Sequence, residues 1–225
     1  MAAGELNPWW RFGLPIVTPL VHLLFRVRVV GIEHVPARGP AILAFNHVSA
    51  IDGPAVAIET GRRTRREIRF LVASEFFRKV FFGWVLRIFD QIPIRRGVGD
   101  AHALDAALAT LHDGSVVALA PEGEVNMQPE GELQRIRSGF ARLALPTGTP
   151  IVPVAIWGTQ GWWPRQGIVW GPPWRPRLAL VFGPPILPDG DVTSEADIED
   201  LRRRLRTRLQ EQIGTARAMV EDAPR

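Results

Sequence analysis

Five consecutive apolar residues, Ala41-Ile42-Leu43-Ala44-Phe45, run directly into the turn Asn46-His47-Val48-Ser49-Ala50-Ile51-Asp52-Gly53. A short, wholly apolar run of this kind reads as a buried strand. Pro54 opens a segment that reads as a helix over 54–60, closed by Gly61, with Asp52 placed to cap it. The pattern therefore delivers a histidine to the end of a strand and a carboxylate five residues later, across a tight turn. Such a turn can fold the carboxylate onto one imidazole nitrogen and leave the other free to take a proton from a hydroxyl. That is the base-and-orienter part of a catalytic triad.

No residue nearby completes a triad. Ser49 lies two positions from His47 and is expected to point elsewhere, and the chain has no cysteine. A nucleophile would have to come from a substrate. The bland alternative is that His47 fills the core or caps a helix and Asp52 is only an N-cap; the spacing H-x4-D alone leaves both open.

Asn46-His47-x4-Asp52 resembles the first sequence block of the glycerolipid acyltransferases, which acylate glycerol-3-phosphate and lysophospholipids. Three further stretches follow in that family's order: Ile92-Pro93-Ile94-Arg95-Arg96, Pro121-Glu122-Gly123, and Ile151-Val152-Pro153-Val154-Ala155-Ile156. The four stretches run from residue 46 to residue 156, and the resemblance covers roughly residues 27 to 185. The resemblance implies His47 as general base and Asp52 as its orienter. It implies acceptor or phosphate binding by Arg96 (Arg95 as the alternative), Glu122, Gly123 and Arg137. It implies acyl-CoA or acyl-carrier protein as donor substrate, with no bound cofactor, no metal and no covalent acyl-enzyme. One loop departs from the pattern: Glu124 and Val125 replace a threonine and the residue after it. A second carboxylate there would repel a phosphate dianion, and Pro-Glu-Gly-x-Val-Asn-Met is similar instead to the tafazzin branch, which moves acyl chains between phospholipids without coenzyme A.

Composition narrows the alternatives. The chain has 225 residues, 46% hydrophobic and 22% charged, enough for one domain with a substantial core and unlike a disordered chain. Its net charge is +4, and Lys79 is the only lysine, so the basic excess is arginine. Guanidinium groups suit an anionic membrane surface or phosphate-bearing ligands. A binding module for anionic lipid or nucleic acid is the alternative from another class. It lacks an aromatic-rich basic groove signature, and no nucleic-acid partner is expected. The missing cysteines exclude disulfides and thiolate chemistry.

Phe12 to Phe25 is apolar but shorter than the ~20 residues that span a bilayer, and Pro15, Pro19 and His22 interrupt it. Trp9, Trp10, Arg11, Arg26 and Arg28 flank it. Indoles favour the headgroup zone and arginines favour anionic lipid. The expectation is a peripheral or monotopic anchor on the cytoplasmic face of the cell membrane; a helix packed on the domain is the other reading.

Beyond the central turn, strands are expected at 26–32, 68–73, 91–94, 115–120, 151–156 and 177–182. Pro153 argues for an edge or a bulge in its strand. A single apolar helix is expected over Phe76–Phe89, lining an acyl channel, dipping into lipid or simply buried. Ala101, Leu104, Leu108 and Leu111 mark an amphipathic helix, Phe140–Leu145 another. Residues 194–221 form a third, with the stripe Ile198, Leu201, Leu205, Leu209 and Ile213. The five tryptophans from Trp157 to Trp174 fit a loop at a membrane interface. The arginines at 202–208 read as a solvated face.

Alternating strands and helices predict an α/β fold: a single domain with a mixed, largely parallel central sheet flanked by helices, plus an N-terminal membrane-associating helical segment. The expected divisions are 1–26 for that segment, 27–190 for the α/β domain, and 191–225 for a C-terminal helix packed on it.

Overall fold

A computed structural model describes residues 7–97, 99–126, 132–164, 167–169 and 174–222. Among these residues seven strands form one sheet: β1 (Arg26–Val30), β2 (Ala41–Phe45), β3 (Ile68–Ala73), β4 (Ile92–Ile94), β5 (Val116–Leu119), β6 (Ile151–Trp157) and β7 (Arg177–Phe182). Their order is β1-β7-β6-β2-β5-β3-β4. Strands β6, β2, β5, β3 and β4 run parallel to one another; β7 turns back antiparallel to β6, and β1 runs with β7. The sheet is mixed and mostly parallel, as the alternation of elements predicts.

Helices cover both faces, which is why β2 is apolar at every position. Ile42 and Ala44 point to the side closed by α4 (Ala101–His112), α5 (Gly139–Thr147) and α6 (Glu195–Glu221). Ala41, Leu43 and Phe45 point to the side closed by α1 (Pro8–Leu24) and α2 (Asp52–Thr64). The predicted stripe of α6, Ile198 to Ile213, is buried throughout. Ser194 caps that helix and acids occupy its first turn, as the macrodipole favours.

Several local expectations are corrected. Strand β6 is interior, between β7 and β2, so Pro153 does not mark an edge. It sits where the β6–β7 ladder breaks: the last pair is Val154↔Phe182, and one isolated bridge, Ile151↔Ile186, lies beyond it. Residues 183–185 therefore stand opposite residues 152–153, three against two, which is a bulge. The missing proline N–H falls at that break. Helix α2 passes through Gly61 to Thr64 and ends with Arg65 in the left-handed region at φ 54°. Gly61 is needed inside it, because a Cβ there would lie 2.9 Å from the Trp10 ring of α1.

The stretch 76–89 is not one helix. A 3-10 turn, Ser74–Arg78, is separated by extended Lys79 from α3 (Val80–Ile88). The two pieces fold onto each other at Gly83, where a Cβ would meet the Phe77 carbonyl at 2.2 Å. The Arg87 guanidinium donates to that same carbonyl at 2.8 Å. Much of α3 faces outward, with Val80 92% and Phe81 68% exposed.

Helix α1 has one side packed on the domain and one apolar side left exposed. One side packs on the domain, with Trp10 buried edge-on against Phe89 at 5.4 Å. The other side leaves Trp9, Phe12, Ile16, Leu20 and Leu23 exposed. Pro8 opens the helix, and the Asn7 side chain accepts from Trp9 N–H. Pro15 and Pro19 lie on its exposed side, where the carbonyls they free can be solvated. Trp9 meets Trp84 of α3 at 5.8 Å, so the two apolar surfaces adjoin. No helix among the described residues is long and apolar enough to cross a membrane.

Candidate active site

The C-terminal ends of the five mutually parallel strands gather along one edge of the sheet. His47 follows β2, Arg95 and Arg96 follow β4, Glu122 and Gly123 follow β5, and Thr159 follows β6. That edge is where open α/β sheets bind ligands, because the loops and helix N-termini there have free polar groups.

His47 sits beyond Phe45 on the same side of the strand, ring to ring at 6.0 Å. Its Nδ1 lies 2.9 Å from Asp52 Oδ2. The same oxygen accepts the backbone N–H groups of Val48 and Ser49, each at 2.7 Å. Oδ1 accepts the Thr159 hydroxyl at 2.6 Å. Four donors thus converge on a carboxylate that is wholly buried. An oxygen that already accepts two N–H bonds offers no proton of its own, so Nδ1 carries the hydrogen and Nε2 presents a lone pair. Nε2 has no partner among the described residues, and the imidazole is 16% exposed.

Asp52 is the first residue of α2 rather than its N-cap, which is Ile51. Its carboxylate turns back over the preceding turn instead of reaching down the helix. Ser49 is buried and donates its hydroxyl to the Trp163 carbonyl at 2.6 Å, pointing away from the imidazole as expected.

The backbone of His47 is held on both sides. Its N–H donates to Glu122 Oε1 at 2.9 Å, and its carbonyl accepts the Asn126 N–H at 2.6 Å. The other Glu122 oxygen accepts the Gln134 N–H at 2.9 Å. Burial pushes the Glu122 carboxyl above the usual range, against the pull of those two N–H groups. Glu122 is therefore a buried brace between two loops, with both oxygens turned inward rather than toward a ligand. Asn126 is likewise turned inward, its amide donating to the Glu132 carbonyl at 2.7 Å. Asn46 closes the gap between β2 and β6, exchanging two bonds with the backbone of Ile156 at 3.0 and 2.7 Å.

Gly123 adopts φ +81°, and a Cβ on it would fall 2.7 Å from Arg137 Nε. The glycine lets the exposed Arg137 lie across the loop and donate to the Glu122 carbonyl at 3.3 Å. The two arginines after β4 differ. Arg95 is committed to Asp100, through its backbone N–H at 2.9 Å and its guanidinium at 3.3 Å. Those bonds hold the Asp100 carboxyl down to about 2. Among the described residues Arg96 reaches only Glu75, at 4.0 Å across the surface, and is the freer of the two. Among the described residues no cluster of His, Asp and Glu could hold a metal ion.

Thr159 is the site residue that sequence reasoning missed. It lies 107 positions from its partner, with no local pattern to mark it. The tryptophan-rich loop also differs from its expected character. Trp157 is buried at the end of β6, and Trp162 packs edge-on to Phe25 at 5.0 Å. The Trp163 carbonyl holds the His47–Asp52 turn through Ser49 and Ala50. Trp174 is exposed, and Trp170 lies outside the described residues.

A helix-flanked, mostly parallel sheet with a His–Asp pair at the end of a central strand and no nucleophile on the imidazole defines the class: an α/β protein that can lend a base to a partner's hydroxyl. The comparisons name the family. The sequence profile described as Acyltransferase matches residues 26–157, and the chain belongs to that family. It is 32% identical over 166 residues to an uncharacterised protein of Mycobacterium tuberculosis (strain ATCC 25618 / H37Rv), covering 68% of this chain and 44% of that one. It is also 32% identical over 154 residues to the lyso-ornithine lipid O-acyltransferase of Pseudomonas aeruginosa, covering 68% and 53%. The chain thus spans about half the length of these curated relatives. The crystal structure of the 1-acyl-sn-glycerophosphate (LPA) acyltransferase PlsC from Thermotoga maritima shares the fold, with a TM-score of 0.72 at 24% identity over 93% of this chain and 81% of that one.

Proposed function

We propose that this chain is a membrane-docked O-acyltransferase that moves a fatty acyl group from a thioester donor, acyl-CoA or acyl-carrier protein, to a hydroxyl of a lysolipid or glycerol-phosphate acceptor. The carrying observation is the His47–Asp52 pair, with Nδ1 fixed on a buried carboxylate and Nε2 unpartnered. His47 Nε2 takes the hydroxyl proton as the oxygen attacks the thioester carbonyl. Asp52 holds the tautomer and stabilises the positive imidazolium. The tetrahedral intermediate collapses with loss of the thiolate, which takes the proton back from the imidazolium. The products are an ester and a free thiol, and the histidine is regenerated.

Arg96 and Arg137, on two loops of the same sheet edge, meet the anionic headgroup of the acceptor. Arg95 serves by ordering the loop through Asp100. The exposed apolar faces of α1 and α3 support docking to a bilayer with indoles at headgroup depth, and in this reading the bilayer leaflet is the cytoplasmic one. The test is acyl transfer by purified protein from acyl-CoA to a panel of lysolipids, read by mass spectrometry. His47→Ala is expected to lose ~10²–10⁴-fold in rate. Activity near that of the wild type would overturn the mechanism.

A further inference from the structure

A second concavity, of about 320 Å³, lies between α6 and the segment ahead of α5. Arg135, Ile136, Glu199, Arg202, Arg203 and Arg206 line it, four guanidinium groups against one carboxylate. The compensation is shallow. Arg202 pairs with Glu199, and Arg203 with Asp200 outside the groove, across exposed i,i+3 contacts of the kind that contribute little. Arg206 spends its donors on the Leu133 and Gln134 carbonyls, both at 2.9 Å, which leaves its charge unbalanced. Arg135 makes no ion pair among the described residues. Arg202 Nε is buried without an acceptor, a cost that an entering anion would relieve.

The groove is joined to the backbone of His47 by one relay of hydrogen bonds. Arg206 holds the Gln134 carbonyl, Gln134 N–H donates to Glu122, and the other Glu122 oxygen holds the His47 backbone. The loop that carries Gln134 thus contacts both the groove and the carboxylate that braces His47. Several guanidinium forks on a rigid helix suit adjacent phosphate groups, which they grip in pairs of parallel bonds.

We infer that this groove seats the phosphates of the thioester's carrier, the 3′-phosphate and diphosphate of coenzyme A, while the arm runs back toward His47. The inference rests on the donor reading above and assigns the donor's polar end to α6. The probe is free coenzyme A titrated calorimetrically into the full chain. The double variant Arg135→Ala/Arg203→Ala removes two exposed side chains, and its circular dichroism and melting temperature report whether the fold is intact. Its Kd is expected to rise at least tenfold, about 1.4 kcal/mol. 3′-Dephospho-coenzyme A is expected to bind the wild type more weakly than coenzyme A. An unchanged Kd in the folded variant overturns the proposal. So does a variant that loses affinity for anionic vesicles while keeping coenzyme A. His47→Ala separates the two readings: coenzyme A binding that survives in an inactive protein supports the groove whatever the chemistry at His47. Active wild-type enzyme whose coenzyme A affinity ignores these arginines sinks the groove alone.

Discussion

The turn from His47 to Asp52 depends on single atoms placed by distant residues. Asp52 meets His47 through Oδ2, and the Thr159 hydroxyl on Oδ1 fixes the rotation of the carboxylate about its side-chain bond. Thr159 touches no reacting atom and acts as a positioning residue. Thr159→Val leaves a buried carboxylate oxygen without its donor, in a setting where hydrogen bonds to charged groups are worth about 1.5–3 kcal/mol. The expected result is a fall in kcat of about tenfold or more, with the acceptor KM little changed, and a shifted pH–rate profile. Thr159→Ser restores the hydroxyl and is expected to recover most of the rate. A merely structural role would leave the pH profile of Thr159→Val where it was.

At the scale of elements, α1 has two unlike faces. Trp10 and Leu14 dock into the space that Gly61 of α2 leaves open. Phe12, Ile16, Leu20 and Leu23 face away from the domain, continuous through Trp9 with the exposed rings of α3. An apolar surface of this extent, with arginines at its borders, is what an interfacial helix needs. Phe12→Glu/Leu20→Glu replaces two exposed residues, each worth about 1.5–3 kcal/mol when fully buried. Co-sedimentation with anionic vesicles is expected to weaken more than tenfold, while the melting temperature in detergent-free buffer stays within about a degree or two, because neither side chain packs in the core. Sedimentation equal to that of the wild type would remove the docking face.

At the scale of the whole molecule, Glu122 links the site to global stability. Its carboxyl is raised in the fold, chiefly by burial. A raised carboxyl binds its proton more tightly in the folded than in the unfolded chain. The stability it contributes is therefore complete below its unfolded value and is lost as pH rises through its folded one. Glu122→Gln cannot titrate, so the melting temperature of the wild type is expected to fall relative to this variant across that window. Parallel slopes in a pH series of melting curves would exclude the effect. The same change is expected to lower activity, because an amide offers one acceptor to the N–H groups of His47 and Gln134 and turns a donor toward the other.

Much of this architecture was legible from local pattern. The all-apolar run of β2, the stripe of α6 and the strand–turn–helix around His47 each depend on neighbours within one or two turns of chain, and periodicity records such neighbours directly. The H-x4-D spacing carried the His–Asp pair for the same reason, since a tight turn leaves the two side chains few other places to go. The interior position of β6 at Pro153, the break at Lys79, the inward turn of Glu122 and the hydroxyl of Thr159 were not legible. The first depends on which strands became neighbours, and the last two on residues far along the chain, Glu122 from His47 and Thr159 from Asp52; the break at Lys79 is local, but the close approach of Gly83 to Phe77 that accompanies it leaves no periodic mark. Short-range chemistry thus settled most of the elements and where the His–Asp pair lies. The way the sheet closed settled which groups hold that pair in place, because a hydrogen bond across about a hundred residues leaves no periodic trace in the sequence.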